Sequence, residues 1–441
     1  MRKISKISLV AAVAVAGFST ANAQPLEEAI KNVDVSGSVV YRYNNYDDDK
    51  ASGNDRIDAN NYKIGLNLSS KVNDYVKFNS RFIVGSQTDG GFATLNAGKE
   101  NNSSNTAGSD GQADVSLSNA YFGFTAIPNT VVNIGKQGLT TPYTVAVDIN
   151  GNEQTGTGIL ALSTFGPVTA GAGYFNNSNL DKSGNINSTM GISVSDLVAG
   201  AGKGKDSTNK VAKWNGAGYV AANGDITAGV DGGSDLYVAT VQGDLDFVKL
   251  EAWYLGMQDT FNSYTLAANG NIDLAENAKI GLEARYVNLK LDTDTGITGD
   301  DRKNDMFRLA VDGKVSIVNA RLAYTQTGKN GGLTAVDQDA KNASLGWFIT
   351  SNGVPDAKYW QAALGADILD NLNFTAHYGN LKTDLDNSPL DFKLQEVYGQ
   401  LTYKMSKNLT TYLRYGQFEE KLDSEKTVDQ DAGRLQVAYT F

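Results

Sequence analysis

The stretch Gly433-Arg434-Leu435-Gln436-Val437-Ala438-Tyr439-Thr440-Phe441 alternates with a period of two residues. Leu435, Val437, Tyr439 and Phe441 fall on one face, and Arg434, Gln436 and Thr440 on the other. A β-strand sends successive side chains to opposite faces. This segment therefore has one apolar face and one polar face, and it ends on an aromatic. That combination suits a strand closing a barrel in lipid, with the apolar face on acyl chains, the polar face on water, and the aromatic at the interface. The expected fold class is all-β: a transmembrane antiparallel up-and-down β-barrel.

At the other end Arg2, Lys3 and Lys6 precede an apolar run from Leu9 to Phe18, and Ala21-Asn22-Ala23 supplies small residues for cleavage. Residues 1–23 thus read as a signal peptide and residues 24–441 as the barrel domain, starting at Gln24. The apolar run is about half of the ~20 residues a spanning helix requires, and no later stretch matches it, which excludes a helical membrane protein. The chain has 47 Gly, 21 Tyr, 16 Phe, 6 Pro and no Cys, the composition of a turn-rich, tyrosine-rich β protein. Lack of cysteine excludes a disulfide framework or a thiolate metal site. Removing the three cations of the signal takes the formal charge from −11 to −14, which argues against a nucleic-acid partner.

Eighteen strand-like segments can be placed: 33–43, 62–69, 76–84, 116–124, 130–138, 158–165, 168–175, 235–243, 248–256, 263–273, 278–289, 305–314, 318–326, 360–368, 372–380, 394–404, 408–418 and 433–441. Most approach the ~9–11 residues of a tilted spanning strand. Their connections alternate short and long, giving eight turns and nine loops, the pattern of periplasmic turns and extracellular loops. The even strand count puts both termini in the periplasm. Thr327–Tyr359 is among the loops expected outside the cell, and Leu369–Asn371 among the turns expected in the periplasm. Val248, Leu250, Ala252 and Tyr254 alternate with Lys249, Glu251 and Trp253, and Ile280, Leu282, Ala284 and Tyr286 with Glu283 and Arg285, so apolar residues point outward and polar ones inward. The fifth strand fits poorly, because Val132 and Ile134 share parity with Lys136; a bulge at Gly135 or a strand end beyond the membrane would account for it.

Three segments carry a family resemblance. Gln24-Pro25-Leu26-Glu27-Glu28-Ala29-Ile30-Lys31-Asn32-Val33-Asp34-Val35-Ser36-Gly37, then Ile134-Gly135-Lys136-Gln137 with Thr157-Gly158 after a loop, and finally Arg434-Leu435-Gln436-Val437 resemble the major outer membrane porins of the Campylobacter group. The resemblance covers a few dozen residues. It implies an 18-stranded homotrimeric porin in a Gram-negative outer membrane, passing small hydrophilic solutes and ions by passive diffusion with a preference for cations. It also implies a calcium ion near the pore constriction, though no cofactor is required for passage.

A barrel of ~16–18 strands leaves a lumen too wide to discriminate, so part of the chain is expected to fold inward. Leu139–Thr157, between the fifth and sixth strands, carries Asp148 and Glu153 beside Gly151, Gly156 and Gly158, which let backbone turn sharply. Inward parity places Arg42, Lys63, Arg81, Arg414 and Arg434 on five strands that closure makes neighbours. A basic wall facing an acidic loop would set a transverse field across the pore. The alternative is that lumen arginines pair with acids on adjacent strands, as the lumen-facing Glu283, Arg285, Arg308 and Arg321 invite. Gly151–Gly158 lacks the Gly-Lys-Ser/Thr ending and the following helix of a phosphate cradle.

The calcium implied by the resemblance would fall to Asp148 and Glu153, which supply only part of the ~6–8 oxygen ligands needed. Asp292-Thr293-Asp294-Thr295-Gly296 places its glycine one position early for a calcium loop and lacks the closing Glu, and reads with Asp47-Asp48-Asp49 as solvated charge. An enzyme is not expected, since the one histidine, His377, sits mid-strand with inward parity. A plugged transporter is not expected either, with only Gln24–Asn32 ahead of the first strand. The Asn- and Gly-rich Asn176–Ser234 favours a surface adhesin or structural barrel as the alternative function, and this can coexist with a pore.

Overall fold

The computed structural model describes residues 33–50, 57–86, 91–95, 114–180, 213–214, 219–220, 226–228, 231–295, 299–384, 391–422 and 424–441. The signal peptide expected over residues 1–23 and most of Asn176–Ser234 lie outside the described residues. Eighteen barrel strands follow in order: β1 Val33–Asp48, β2 Ile57–Asn73, β3 Val76–Gly85, β4 Asp114–Phe124, β5 Thr130–Gly138, β6 Thr155–Phe165, β7 Val168–Ser178, β8 Leu236–Leu245 and β9 Val248–Met257, then β10 Phe261–Ala275, β11 Ala278–Leu291, β12 Lys303–Val315, β13 Val318–Thr327, β14 Ala357–Leu369, β15 Leu372–Asp384, β16 Asp391–Lys404, β17 Leu409–Leu422 and β18 Glu425–Thr440. Every strand pairs antiparallel with its sequence neighbours, and β1 pairs with β18 in a register that puts Tyr41 opposite Val437, so the sheet closes on itself. Closure satisfies every strand edge, as a barrel in hydrocarbon requires. A two-residue strand, Ala93–Thr94, continues the sheet beside β2 beyond the end of β3.

The short turns follow from local backbone chemistry. Gly166-Pro167, Asp246-Phe247 and Ser316-Ile317 each join two strands directly, and their first residues take left-handed φ values of 58°, 60° and 53°. Positive φ is what two-residue hairpins need for their twist to match that of the strands. At the opposite end the strands run past the predicted limits. β17 and β18 extend to Leu422 and Glu425, so the long loop expected over Glu419–Ala432 is instead a protruding hairpin. Gln258–Thr260 likewise leaves only three residues between β9 and β10, so the strict short–long alternation does not hold. These extensions lie where both faces meet water, and no alternation marks them.

The outer face carries the apolar belt. Tyr174–Tyr237, Tyr254–Tyr264 and Tyr324–Trp360 are directly opposed cross-strand pairs with ring centroids 5.5, 5.2 and 4.7 Å apart, all near the loop end. Phe78–Phe122, at 5.2 Å, forms such a pair near the turn end. Two aromatic levels with Leu250, Leu266, Leu282 and Leu309 exposed between them make the belt of a lipid-embedded barrel.

The misfit of the fifth strand has its cause next door. Gly135 takes φ 128°, but the bulge lies on β4, where Arg81 pairs with Asn119 and Phe82 with Leu117, leaving Ser118 as the extra residue. Lys136 reaches across to the Leu117 carbonyl at 2.9 Å.

The expectation that Thr327–Tyr359 is an exterior loop is overturned. Leu333, Thr334, Ala335, Val336, Asn342 and Ile349 are at most 2 % exposed, so the loop lies inside the barrel. The reason is an apolar patch on the lumen wall near the loop end, made by Val238, Leu255, Phe261, Val287, Leu289 and Met306. Leu139 and Tyr143 of residues 139–154, and Leu333 and Val336 of residues 328–356, complete one cluster with it. Each fully buried side chain of this size contributes roughly 1.5–3 kcal/mol. Two inward loops therefore exist where one was expected, and we call them the first and second inward loops.

This placement changes which insertions should be visible from outside. An epitope tag beside the exposed Asp300, between β11 and β12, is expected to bind antibody on intact cells, and a tag beside Asp370, in the β14–β15 turn, is not. Labelling in the reverse pattern would invert the orientation of the barrel.

Candidate functional site

The first inward loop leaves β5, turns at Asp148–Gly151 and returns to β6. Gly151 has φ 82°, and its amide donates to the Asp148 carbonyl at 2.9 Å. A Cβ there would fall 2.8 Å from the Phe92 ring, so the turn requires glycine. The loop carries Glu153 onto the basic wall itself. Lys63 Nζ lies 2.5 Å from Glu153 Oε1, and Arg81 grips the same carboxylate through Nε and Nη2 at 3.0 Å each. The Ser118 hydroxyl, presented by the β4 bulge, donates to Glu153 Oε2 at 2.8 Å. Lys63 also donates to the Gly151 carbonyl. Burial draws the Glu153 carboxyl upward, but Arg81 and Lys63 outweigh it and hold the group below its ordinary range.

Asp148 has different surroundings. Its oxygens accept the Asn152 backbone and side-chain N–H groups, both at 2.7 Å, and no cation pairs with them among the described residues. Burial, helped by the charge of Asp337 on the second loop, pushes Asp148 up to about 6. The loops meet here: Ile149 N–H donates to Asp339 Oδ2 at 2.7 Å, Gln154 Nε2 donates to Asp337, and the Val336 amide donates to the Tyr143 carbonyl at 2.9 Å.

The five expected basic residues do share one wall, in two groups. Lys63 and Arg81 share the single Glu153 carboxylate, which is docked on them and offsets one of their two charges. Arg42, Arg414 and Arg434 have no carboxylate within ion-pair distance among the described residues. Arg42 donates to Gln436 at 2.8 Å and to the Ile149 carbonyl at 3.0 Å, with Phe92 4.1 Å over its guanidinium. Arg434 donates to Asn44 and Tyr46, and Arg414 to Gln400. Trp347 of the second loop covers both, 5.1 Å from Arg414 and 5.8 Å from Arg434. Arg414 and Arg434 are directly opposed across β17 and β18.

The alternative reading, internal pairing, describes the other wall. Glu283 receives Arg285 at 3.1 Å, Arg308 at 2.6 Å and Arg321 at 3.3 Å, and Arg321 also meets Asp312 at 2.5 Å. Arg308 passes on to the second loop, donating to the Lys341 and Ala343 carbonyls at 2.7 Å each, and Arg285 donates to Asn342 at 3.2 Å. The wall thus also serves as a dock for that loop.

Sequence reading missed Glu396. Its carboxylate, inward on β16, accepts N–H bonds from Trp347, Phe348 and Ile349 at the loop's tip, the shortest 2.8 Å from Phe348. Alternation with Val397 puts Glu396 on the lumen face, but nothing in the sequence names its partner. His377 stacks on Tyr398, with centroids 4.4 Å apart.

Asp148 and Glu153 do not fit a calcium ion in this arrangement. Both oxygens of Glu153 are engaged by Lys63, Arg81 and the Ser118 hydroxyl, and a cation already paired with the carboxylate opposes a second one. Among the described residues no group of three or more acidic or histidine side chains converges as a metal site.

A barrel that turns an apolar belt to lipid and lines its lumen with charge and infolded loops is an outer-membrane channel of the porin class. The chain belongs to the Campylobacter major outer membrane protein family, whose profile matches residues 1–441. No curated protein sequence matches it. Among solved structures it is similar to Acinetobacter baumannii OccAB3, with TM-score 0.68 and 15 % identity over 93 % of this chain and 99 % of that one. Pseudomonas aeruginosa OpdL gives TM-score 0.66 and 15 % identity over 93 % and 99 %, and OpdO (OccK3) of the same species 0.66 and 14 % over 96 % and 99 %. At these identities the likeness is one of fold. The protein is a porin of the outer membrane, in contact with its lipid and open to small hydrophilic solutes.

Proposed function

We propose that this porin passes small hydrophilic solutes and ions through a constriction formed by both inward loops, with a transverse field and a net preference for cations, and that it works as a homotrimer without catalysing a reaction. The observation carrying this reading is the division of charge: among the described residues Arg42, Arg414 and Arg434 have no carboxylate within ion-pair distance on one wall, while Asp148, Asp337 and Asp339 gather on the loops. Such a division draws ions of opposite sign to opposite sides of the passage. Two facts support cation preference. The chain carries an excess of acid, and aromatic rings cover the unpaired guanidiniums. A single histidine stacked on a tyrosine gives no nucleophile–base pair to work with.

Planar-bilayer recording tests the reading. Stepwise ohmic conductance in groups of three, with a reversal potential of cationic sign in a salt gradient, is the expected result. A reversal potential of anionic sign would reject the preference, and single unitary steps would reject the trimer. Silence would move the function to the adhesin alternative.

A further inference from the structure

The tip of the second inward loop is a tight reversal. Leu345 bridges to Thr350, and the Gly346 amide donates to the Ile349 carbonyl at 2.8 Å. This geometry turns the backbone N–H groups of Trp347, Phe348 and Ile349 toward one point, and Glu396 fills it. Successive N–H groups converging on one anion form a strong cradle, because charge-assisted hydrogen bonds are roughly twice as strong as neutral ones. The fit is close: a Cβ at Gly346 would collide with Glu396 Oε1, and one at Gly379 would come within 2.9 Å of its Cγ. The tip so held lays Trp347 over Arg414 and Arg434, with Phe348 packed edge-on against Tyr46 at 5.8 Å.

We propose that Glu396 is a positioning residue of the pore: it clamps the 346–349 tip so that Trp347 shields two arginines from the passage, which sets both conductance and ion preference. This rests on the porin reading above. Without the clamp the tip leaves the wall, the lumen widens, and the guanidiniums of Arg414 and Arg434 face permeating ions.

Glu396→Gln offers one acceptor oxygen in place of two and aims its own N–H groups at N–H donors, so it opens the clamp. It also removes a charge, so two charge-neutral variants accompany it. Gly346→Ala blocks the clamp sterically, and Trp347→Ala leaves the clamp but removes the cover. In all three, single-channel conductance should rise and the reversal potential should move toward anions, with unchanged heat-modifiable mobility showing an intact barrel. Wild-type potentials in both charge-neutral variants would reduce Glu396 to a simple fixed charge and overturn the proposal. Protease added to folded barrels gives a readout independent of conduction. Cleavage within 328–356 is expected in Glu396→Gln and Gly346→Ala and not in wild type, and equal resistance in all three would also overturn the clamp. A silent wild-type channel whose variants are cleaved would sink the porin reading and leave the clamp standing.

Discussion

Chains lacking Phe441 are expected to accumulate as unfolded, protease-sensitive material, with little reaching the outer membrane as closed barrel. The seam between β1 and β18 joins the two ends of the described chain and closes the sheet. At its turn end the Phe441 amide donates to the Gly37 carbonyl at 3.1 Å, and the Gly37 amide donates to the Phe441 carbonyl at 2.9 Å. The Phe441 ring stacks on Tyr439 at 5.9 Å and lies against Gly37, where an added Cβ would meet it at 2.7 Å. Deletion therefore removes two seam hydrogen bonds and an aromatic at the lipid interface. Unpaired backbone groups in hydrocarbon cost several kcal/mol each, so an open seam favours the unfolded chain or edge-to-edge association. Heat-modifiable mobility of membrane fractions measures the outcome. Phe441→Tyr should assemble normally and Phe441→Ala at reduced yield, while normal yield from the deletion would refute the role given to this residue.

The barrel was legible because lipid on one side and water on the other impose alternation wherever a strand crosses the membrane. Where a strand leaves lipid that constraint ends, which is why β1, β2, β17 and β18 outrun their apolar patterns. A further signal was present along β11. Leu282, Ala284 and Tyr286 point outward, and then Val287, Leu289 and Leu291 are apolar on the opposite parity. That flip marks the place where the lumen wall meets an infolded loop in place of water, and the same switch separates Leu236 and Val238 from Val241 on β8.

The first inward loop and its dock were legible in part. Glu153 and the five cations follow from parity and loop position, but that Glu153 lies on Lys63 and Arg81 depends on how far a sixteen-residue loop reaches, which pattern does not encode. Residues 328–356 carry their apolar side chains without a period, so nothing local separates an infolded loop from an exterior one. Gly346-Trp347-Phe348, with two large aromatics beside a glycine, was the clearest clue.

Glu153→Gln is expected to produce the largest single shift of ion preference, toward anions. The carboxylate now offsets one of the two charges of Lys63 and Arg81, and its loss leaves both cations without an acidic partner. At about 4 Å and an effective dielectric of ~20, a unit charge acts on a passing ion with ~4 kcal/mol, whereas on an exterior loop it would be screened within ~10 Å at 0.1 M salt. Removing one partner of a buried ion pair costs about 3–5 kcal/mol. The closed sheet is held elsewhere, so that cost falls on the loop, and protease sensitivity within 139–154 should rise while barrel mobility stays unchanged.

Asp148 adds a pH dependence. Burial and the Asp337 charge raise it from 3.8 to about 6, so the folded loop keeps its proton up to about pH 6 and the unfolded chain releases it near 3.8. Protons bind the folded state more in that window, so the loop's stability increases as pH falls through 6 and is lost as pH rises through it. Selectivity runs the other way: taking the bath from about pH 7 to about pH 5 discharges Asp148, and cation preference should fall with a midpoint near 6. Glu153, held low by Arg81 and Lys63, does not titrate there. Asp148→Asn should abolish the step, and the double variant with Glu153→Gln should be the most anion-preferring. A step that survives in Asp148→Asn would belong to another group, and reversal potentials unchanged in both single variants at low and high salt would place the first inward loop outside the conducting path.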